Sequence, residues 1–142
     1  MKFLTSLVAL VALPTIAVVT AYDATYHDGF EDPNGSLYEV ACSDGINGLL
    51  TRGFSTYGSL PSFPYIGSAP QVTEWNSPVC GTCWKLTYSK TGRSIYMLAI
   101  DMAETYDLSY PAMDDLTAGQ AYALGRVKVT ANQVASSFCG MY

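Results

Sequence analysis

Four cysteines, Cys42, Cys80, Cys83 and Cys139, constrain this chain more than any other feature, because what they can become depends on the compartment the chain enters. Two of them stand three positions apart in WNSPVCGTCW, residues 75–84, between the only tryptophans of the sequence. Such a pair can be a redox dithiol, half of a metal clip, or the meeting point of two structural bridges. The N-terminus bears on the choice. Met1-Lys2 supplies a short positive region, and Phe3 to Val19 is almost wholly apolar with Pro14 inside it. Val19-Thr20-Ala21 then places small or slim residues where a signal peptidase reads. The pattern predicts a secretory signal peptide over residues 1–21 and one mature domain over residues 22–142. A membrane anchor is the weaker reading, since the run is short, interrupted by proline and followed by a cleavage-like site.

An even number of cysteines in an oxidising compartment reads as a disulfide framework. A bridge inside CGTC would need the βαβ setting of a redox motif, which the sequence does not show. A zinc site is disfavoured by secretion and by the lack of a second CxxC, so the reading calls for no metal and no cofactor. The two remaining pairings each tie Cys80 and Cys83 to distant partners, and spacing alone does not choose between them. Either way, each bridge closes a long loop and contributes roughly 3–4 kcal/mol in the chain-entropy model. For a domain of this size that is a large part of the net stability.

Charge narrows the partners. The chain carries −5, from seven basic and twelve acidic residues, and removing residues 1–21 takes away Lys2 and no acid, which deepens it to −6. An acidic domain argues against nucleic acid, where Lys and Arg must neutralise phosphates, and equally against anionic lipid. All eleven tyrosines lie beyond residue 21. A tyrosine offers a flat apolar face and one hydroxyl, which suits a sugar or a protein interface, although a β-rich core uses the same side chain.

Period-two alternation marks strands at Leu37-Tyr38-Glu39-Val40, Trp84 to Tyr88, Ser94 to Ile100 and Arg126 to Ala131. Ser89-Lys90-Thr91-Gly92-Arg93 reads as the turn of a hairpin. Pro111 opens a short helix through Ala112, Met113 and Leu116 that stops at Gly119, and a second is expected from Pro70 to Trp75. Gly45, Gly48, Gly53, Gly58 and Gly67, with Pro61 and Pro64, predict long loops between. The class is β-rich, a barrel or a sandwich. Asn34-Gly35-Ser36 is a sequon in a turn-like stretch, so Asn34 is a glycosylation candidate.

Little conventional catalytic chemistry is on offer. His27 is the only histidine, no serine sits in GxSxG, and there is no P-loop, dinucleotide fingerprint or HExxH. Carboxylates remain. Asp101 follows the apolar run ending at Ile100, where a buried scaffold can hold it rigidly. Asp44 lies in a Ser-Asp-Gly turn, either as a ligand-facing group or, the favoured reading, as a turn former bonded to nearby backbone N–H groups. Glycoside hydrolysis would require a second carboxyl group opposite Asp101.

CSDGINGLLTRGF (42–54), FPYIG (63–67), WNSPVCGTCWKLTY (75–88), LAID (98–101), AMDDLT (112–117) and LGRVKVTANQVASSFCG (124–140) together resemble the cerato-platanin family of small secreted fungal proteins. The resemblance spans nearly all of the mature chain and includes the order and spacing of the cysteines. It implies a six-stranded double-psi β-barrel like the first domain of expansins, with one or two short helices and the bridges Cys42–Cys80 and Cys83–Cys139. It further implies a non-enzymatic protein that binds chitin or N-acetylglucosamine oligomers on a shallow groove, loosens wall polysaccharide, elicits plant defence through a host receptor, and self-assembles at interfaces.

Asp101 matches the family aspartate that corresponds to the acid of expansins, and Asn47 a polar position near the same face. With Asp44, Tyr106 and Asp107 they make up the expected carbohydrate-binding set. The chain departs from the family at Met102 to Asp107, a stretch that borders the implied groove. Asp107 and Asp114 stand where the family commonly has asparagine, and each exchange removes a donor and adds charge. Two rival readings are a weak glycosidase using Asp101 with a second carboxylate, and an interface-active coat protein working through exposed apolar and tyrosine surface.

Overall fold

Three of the four alternating runs become strands of a sheet that closes on itself. The computed structural model describes residues 2–142. The strands are β1 (Ala21–Tyr26), β2 (Ile66–Ala69), β3 (Cys83–Tyr88), β4 (Ser94–Met102), β5 (Tyr106–Leu108) and β6 (Val127–Val134). They follow the order β1-β5-β2-β4-β3-β6 around a closed barrel. β1 runs parallel to β5 and β2 parallel to β4, while the other pairs are antiparallel. Closure pairs every strand on both sides, which removes the exposed edges an open sheet of this size would present.

Ile66, Leu86, Met97, Leu98, Ile100, Tyr106 and Leu108 are all fully buried in the core. β4 carries four consecutive buried residues, Met97 to Ile100, because the barrel lies on one face and covering segments on the other. Gly67 permits close approach at β2, since a Cβ there would run into the backbone oxygen of Asp107 on β5. α1 (Tyr110–Leu116) begins as the sequence predicts. Ser109 caps it by accepting from the Ala112 N–H, Pro111 occupies its first turn, and Ala112, Met113 and Leu116 are buried against the barrel. Gly119 ends the turn with φ +84°, and α2 (Ala121–Leu124) follows.

Two expected elements are different. Leu37–Glu39 is a single 3-10 turn, not a strand; Ser36 caps it, and only Ser36 forms an isolated bridge, with Thr56. Buried Leu37 and Val40 are three apart, a spacing that also suits a tight turn against a core. No helix forms from Pro70 to Trp75 either. One turn closes at Val72, and the chain is then drawn away by the bond from the Asn76 N–H to the Ala41 carbonyl. Residues 2–20 form no helix or strand and are exposed, and among the described residues no helix is long and apolar enough to cross a membrane.

The bridges are Cys42–Cys80 and Cys83–Cys139, with S–S distances of 2.07 and 2.00 Å. The structure thus selects one of the two long-range pairings that spacing left open. They span 38 and 56 residues, so each contributes about 4 kcal/mol in the chain-entropy model.

Candidate functional site

The C-terminal end of β4 is where loops from three parts of the chain converge. Ile100 and Ala99 offer carbonyls to opposite neighbours: the Cys42 N–H donates to Ile100 at 3.1 Å, and the Gly81 N–H donates to Ala99 at 2.8 Å. Cys42–Cys80 joins those two segments covalently. The site therefore rests on a strand and a disulfide, although most of its surface is loop.

Asp101 sits half-buried at this end. Its Oδ1 accepts from the Ala41 N–H at 2.8 Å and the Met102 N–H at 2.9 Å. Two backbone donors hold one carboxylate oxygen, while Oδ2 accepts no hydrogen bond from the described residues. Burial raises the pKa of the neighbouring Tyr57 phenol, and the charges of Asp101, Glu39 and Asp32 add to that effect.

Ala41 links Asp101 to the next group, since its carbonyl accepts from the Asn76 N–H at 3.0 Å. Asn76 adopts a left-handed φ of 57°, and its Oδ1 accepts from the Asn47 N–H at 2.9 Å. Asn47 Nδ2 donates back to the Asn76 carbonyl at 3.0 Å. Asn47 thus pins the segment carrying Trp75. The Trp75 side chain is 55% exposed, with Nε1 donating to Asp44 Oδ1 at 2.8 Å. The turn reading of Asp44 is corrected accordingly: its carboxylate holds an indole, and Ser43 Oγ donates to the same oxygen at 3.3 Å. On the other side of Asp101, Pro70, Val72, Thr73, Met102, Ala103 and Glu104 line an open hollow of about 380 Å³.

The remaining expected residues are placed elsewhere. Tyr106 is fully buried in the barrel, edge-on to Tyr22 at 5.5 Å, with its hydroxyl donating to Gln71 Oε1 at 2.8 Å. Burial pushes its pKa well above the usual phenol range. A sugar could not reach it without opening the core. Asp107 Oδ1 accepts from the Thr105 hydroxyl at 2.6 Å and from Thr25 on β1, so one of its oxygens serves the β1–β5 seam. Asp114 lies on α1, where its Oδ1 accepts from the Ala121 N–H at 3.3 Å at the start of α2. That substitution belongs to a helix junction, away from the β4 terminus. His27 Nδ1 accepts from the Gly29 N–H at 3.1 Å and caps a 3-10 turn.

The two tryptophans that flank CGTC could each pack in the core or be displayed to solvent. The two tryptophans in fact divide these roles: Trp84, on β3, is 8% exposed with Nε1 donating to Thr82 Oγ1 at 2.8 Å. Only Trp84 alternates in register with buried Leu86, and that was the available signal. Among the described residues, no group of three or more His, Cys, Asp or Glu side chains could hold a metal ion.

The disulfide-stapled barrel thus carries, at one end, a held carboxylate, an exposed indole and a shallow hollow. The cerato-platanin family model matches residues 20–141. The chain belongs to the cerato-platanin family. It is 41% identical to the heat-stable 19 kDa antigen of Coccidioides immitis over 147 residues, covering 99% of both chains. Among solved structures, cerato-platanin 3 from M. perniciosa matches with a TM-score of 0.82 and 45% identity, over 86% of this chain and all of that one. The solution structure described as the fungal elicitor cerato-platanin matches at 0.73 and 34%, over 82% and 95% of the two chains. A Clavibacter michiganensis expansin matches at 0.50 and 18%, over 83% of this chain and 51% of that one, a likeness of fold alone consistent with a double-psi barrel.

Proposed function

We propose that this protein is secreted and acts as a non-hydrolytic binder of wall polysaccharide, with chitin or N-acetylglucosamine oligomers as ligands, and as an elicitor of plant defence. The observation that carries the reading is Asp101: a carboxylate oriented by two backbone N–H groups, with one oxygen free, one residue removed through Ala41 from the segment that displays Trp75. A sugar ring offers an apolar face to the indole and hydroxyl donors to the carboxylate. Asp44 and Asn47 act by holding the platform. The elicitor description of a 34% identical neighbour supports the plant-facing half of the reading.

Titration of the mature protein with chitin oligomers, followed by NMR, should shift Asp101, Trp75 and residues 102–105. Absence of shifts at millimolar ligand would refute the binding half. Reducing-sugar release from chitin or cellulose, lost in Asp101→Asn, would instead establish a glycosidase. Persistent lowering of surface tension without glycan binding would favour a coat protein. Secretion is tested by intact mass, which should show the chain beginning at Tyr22, and enzymatic deglycosylation would reveal a glycan on exposed Asn34.

A further inference from the structure

Charge is distributed unevenly around the barrel. Residues 83–97 and 126–134, which include β3, the first half of β4 and β6, hold Lys85, Lys90, Arg93, Arg126 and Lys128 and no acid. Those are five of the six basic residues beyond residue 21, and Arg52 is the sixth. Two acids reach in from neighbouring segments. Asp23 on β1 pairs with Arg126 at 2.9 Å and Lys128 at 2.6 Å, and Asp115 on α1 pairs with Arg93 at 2.5 Å. Lys85 and Lys90 pair with no carboxylate among the described residues. The five cations and these two acids leave +3 on this face, while Arg52 and the other ten acids leave −9 elsewhere.

Strand register arranges the face. Trp84, Leu86 and Tyr88 of β3 are buried, so Lys85 and Thr87 point outward by the alternation of a strand. Lys85 stands between Tyr96 of β4 and Asn132 of β6, and Thr87 between Ser94 and Thr130. Cross-strand neighbours share a face, which puts Tyr96 directly beside Lys85. Phe138, 57% exposed, stacks on Tyr96 at 4.9 Å with planes 18° apart. Lys128 is four residues of β6 from Asn132, about 13 Å further along. Beyond it, a hollow of about 460 Å³ has Lys90, Arg126 and Lys128 in its lining.

We propose that this face binds an acidic polysaccharide, a linear polyuronate with one carboxylate on each sugar ring. Its positive charge selects an anion, and the spacing of that charge selects the kind. Lys85 and Lys128 are more than a few ångströms apart, with hydroxyl and amide side chains between them. A nucleic acid strand carries a phosphate roughly every 3.4 Å, so most phosphates would meet no cation while the −9 remainder repelled them. A polyuronate spaces its charges by whole rings and fills the intervals with hydroxyls, which suit Thr130 and Asn132. A ring over Tyr96 meets an apolar face and has its carboxylate within reach of Lys85. Tyr96 and Asp101 are five residues of strand apart, so this face and the Asp101 end are separate sites.

Titration of the mature protein with galacturonic acid oligomers at low salt, followed by NMR, should shift Lys85, Lys90, Tyr96 and Lys128 and leave Asp101 unmoved. That chain lacks Val18 to Thr20, which border Thr130 and Asn132. Lys85→Gln with Lys90→Gln should weaken binding about tenfold, a factor of about three for each exposed ion pair, with unfolding unchanged. Affinity should also fall several-fold between about 10 and 150 mM salt, as screening shortens the reach of the lysines. Fully methyl-esterified oligomers keep the rings and lose the charge, and should bind no better to the natural protein than to the double variant. The inference is overturned if esterified oligomers bind as tightly as the acids or if the double variant binds normally. It is overturned equally if a single-stranded oligonucleotide shifts the same residues at lower concentration. Chitin-oligomer shifts at Asp101 are read separately, so failure of one site is distinguishable from failure of the other.

Discussion

The two ends of β4 are built differently. At the C-terminal end, Asp101 is held by backbone N–H groups from a loop and its own strand, with Cys42–Cys80 clamping the flanking segments. At the other end, side chains do the work: Arg93 donates through Nε to the Asp115 carbonyl and through Nη2 to its carboxylate, and Tyr65 reaches the same carboxylate. A covalent clamp can hold loops open to solvent without a helix beneath them. The ion-paired end relies on α1 packing and on charges that are 50% and 37% exposed, where water screens most of the attraction. Rigidity at the Asp101 end should thus depend on redox state, and at the Asp115 end on pH.

Breaking the barrel shared by both ends should have the largest effect. Tyr106→Ala empties a fully buried aromatic site and should cost about 3–5 kcal/mol in denaturant unfolding. The same residue gives an alkaline signature. Its phenol pKa is raised in the fold by burial, so the stability it contributes is complete below about pH 10, the unfolded value, and is lost as pH rises further. A tyrosine absorbance titration should therefore show one ionisation delayed until unfolding.

Removing only the clamp comes next. Cys42→Ser with Cys80→Ser should destabilise by roughly 4 kcal/mol or less and broaden NMR signals at residues 41–47 and 75–81 more than at Tyr65 or Arg93. Equal broadening at both ends would remove the contrast. Asp101→Ala removes the acceptor of two backbone N–H groups and should cost about 1–3 kcal/mol in unfolding, while weakening chitin-oligomer binding roughly ten- to a hundredfold, as expected for a charge-assisted hydrogen bond.

The smallest effect belongs to Asp115→Asn, under about 1 kcal/mol at neutral pH. Arg93 and Tyr65 hold the Asp115 pKa below the usual carboxylate value of 3.8. Its contribution is therefore present above that value and fades as pH falls through the lower, folded one. Acid unfolding of Asp115→Asn should accordingly be less steep.

The sequence by itself determined the β-rich class, the turn and strands from Trp84 to Ile100, the late strand, the start and stop of α1 and, through the family resemblance, the disulfide pairing and the barrel. Those features are local, or are carried by an ordered set of motifs, so the chain displays them without folding. It missed β1, β2 and β5, the last two only four and three residues long, and all three are held by neighbours from distant parts of the chain. It read Leu37–Val40 as a strand because four residues are too few to tell alternation from a turn; the residues actually buried, Leu37 and Val40, are three apart, a turn spacing and not a period of two.

The site divides in the same way. Asp101 was legible as a carboxylate at the end of an apolar run. The indole held by Asp44, the burial of Tyr106 and the removal of Asp114 to a helix junction were decided by tertiary structure alone. A side chain's exposure depends on what the rest of the barrel lays over it, and much of that covering is distant in sequence, as with Asp44 and Trp75 or Gln71 and Tyr106.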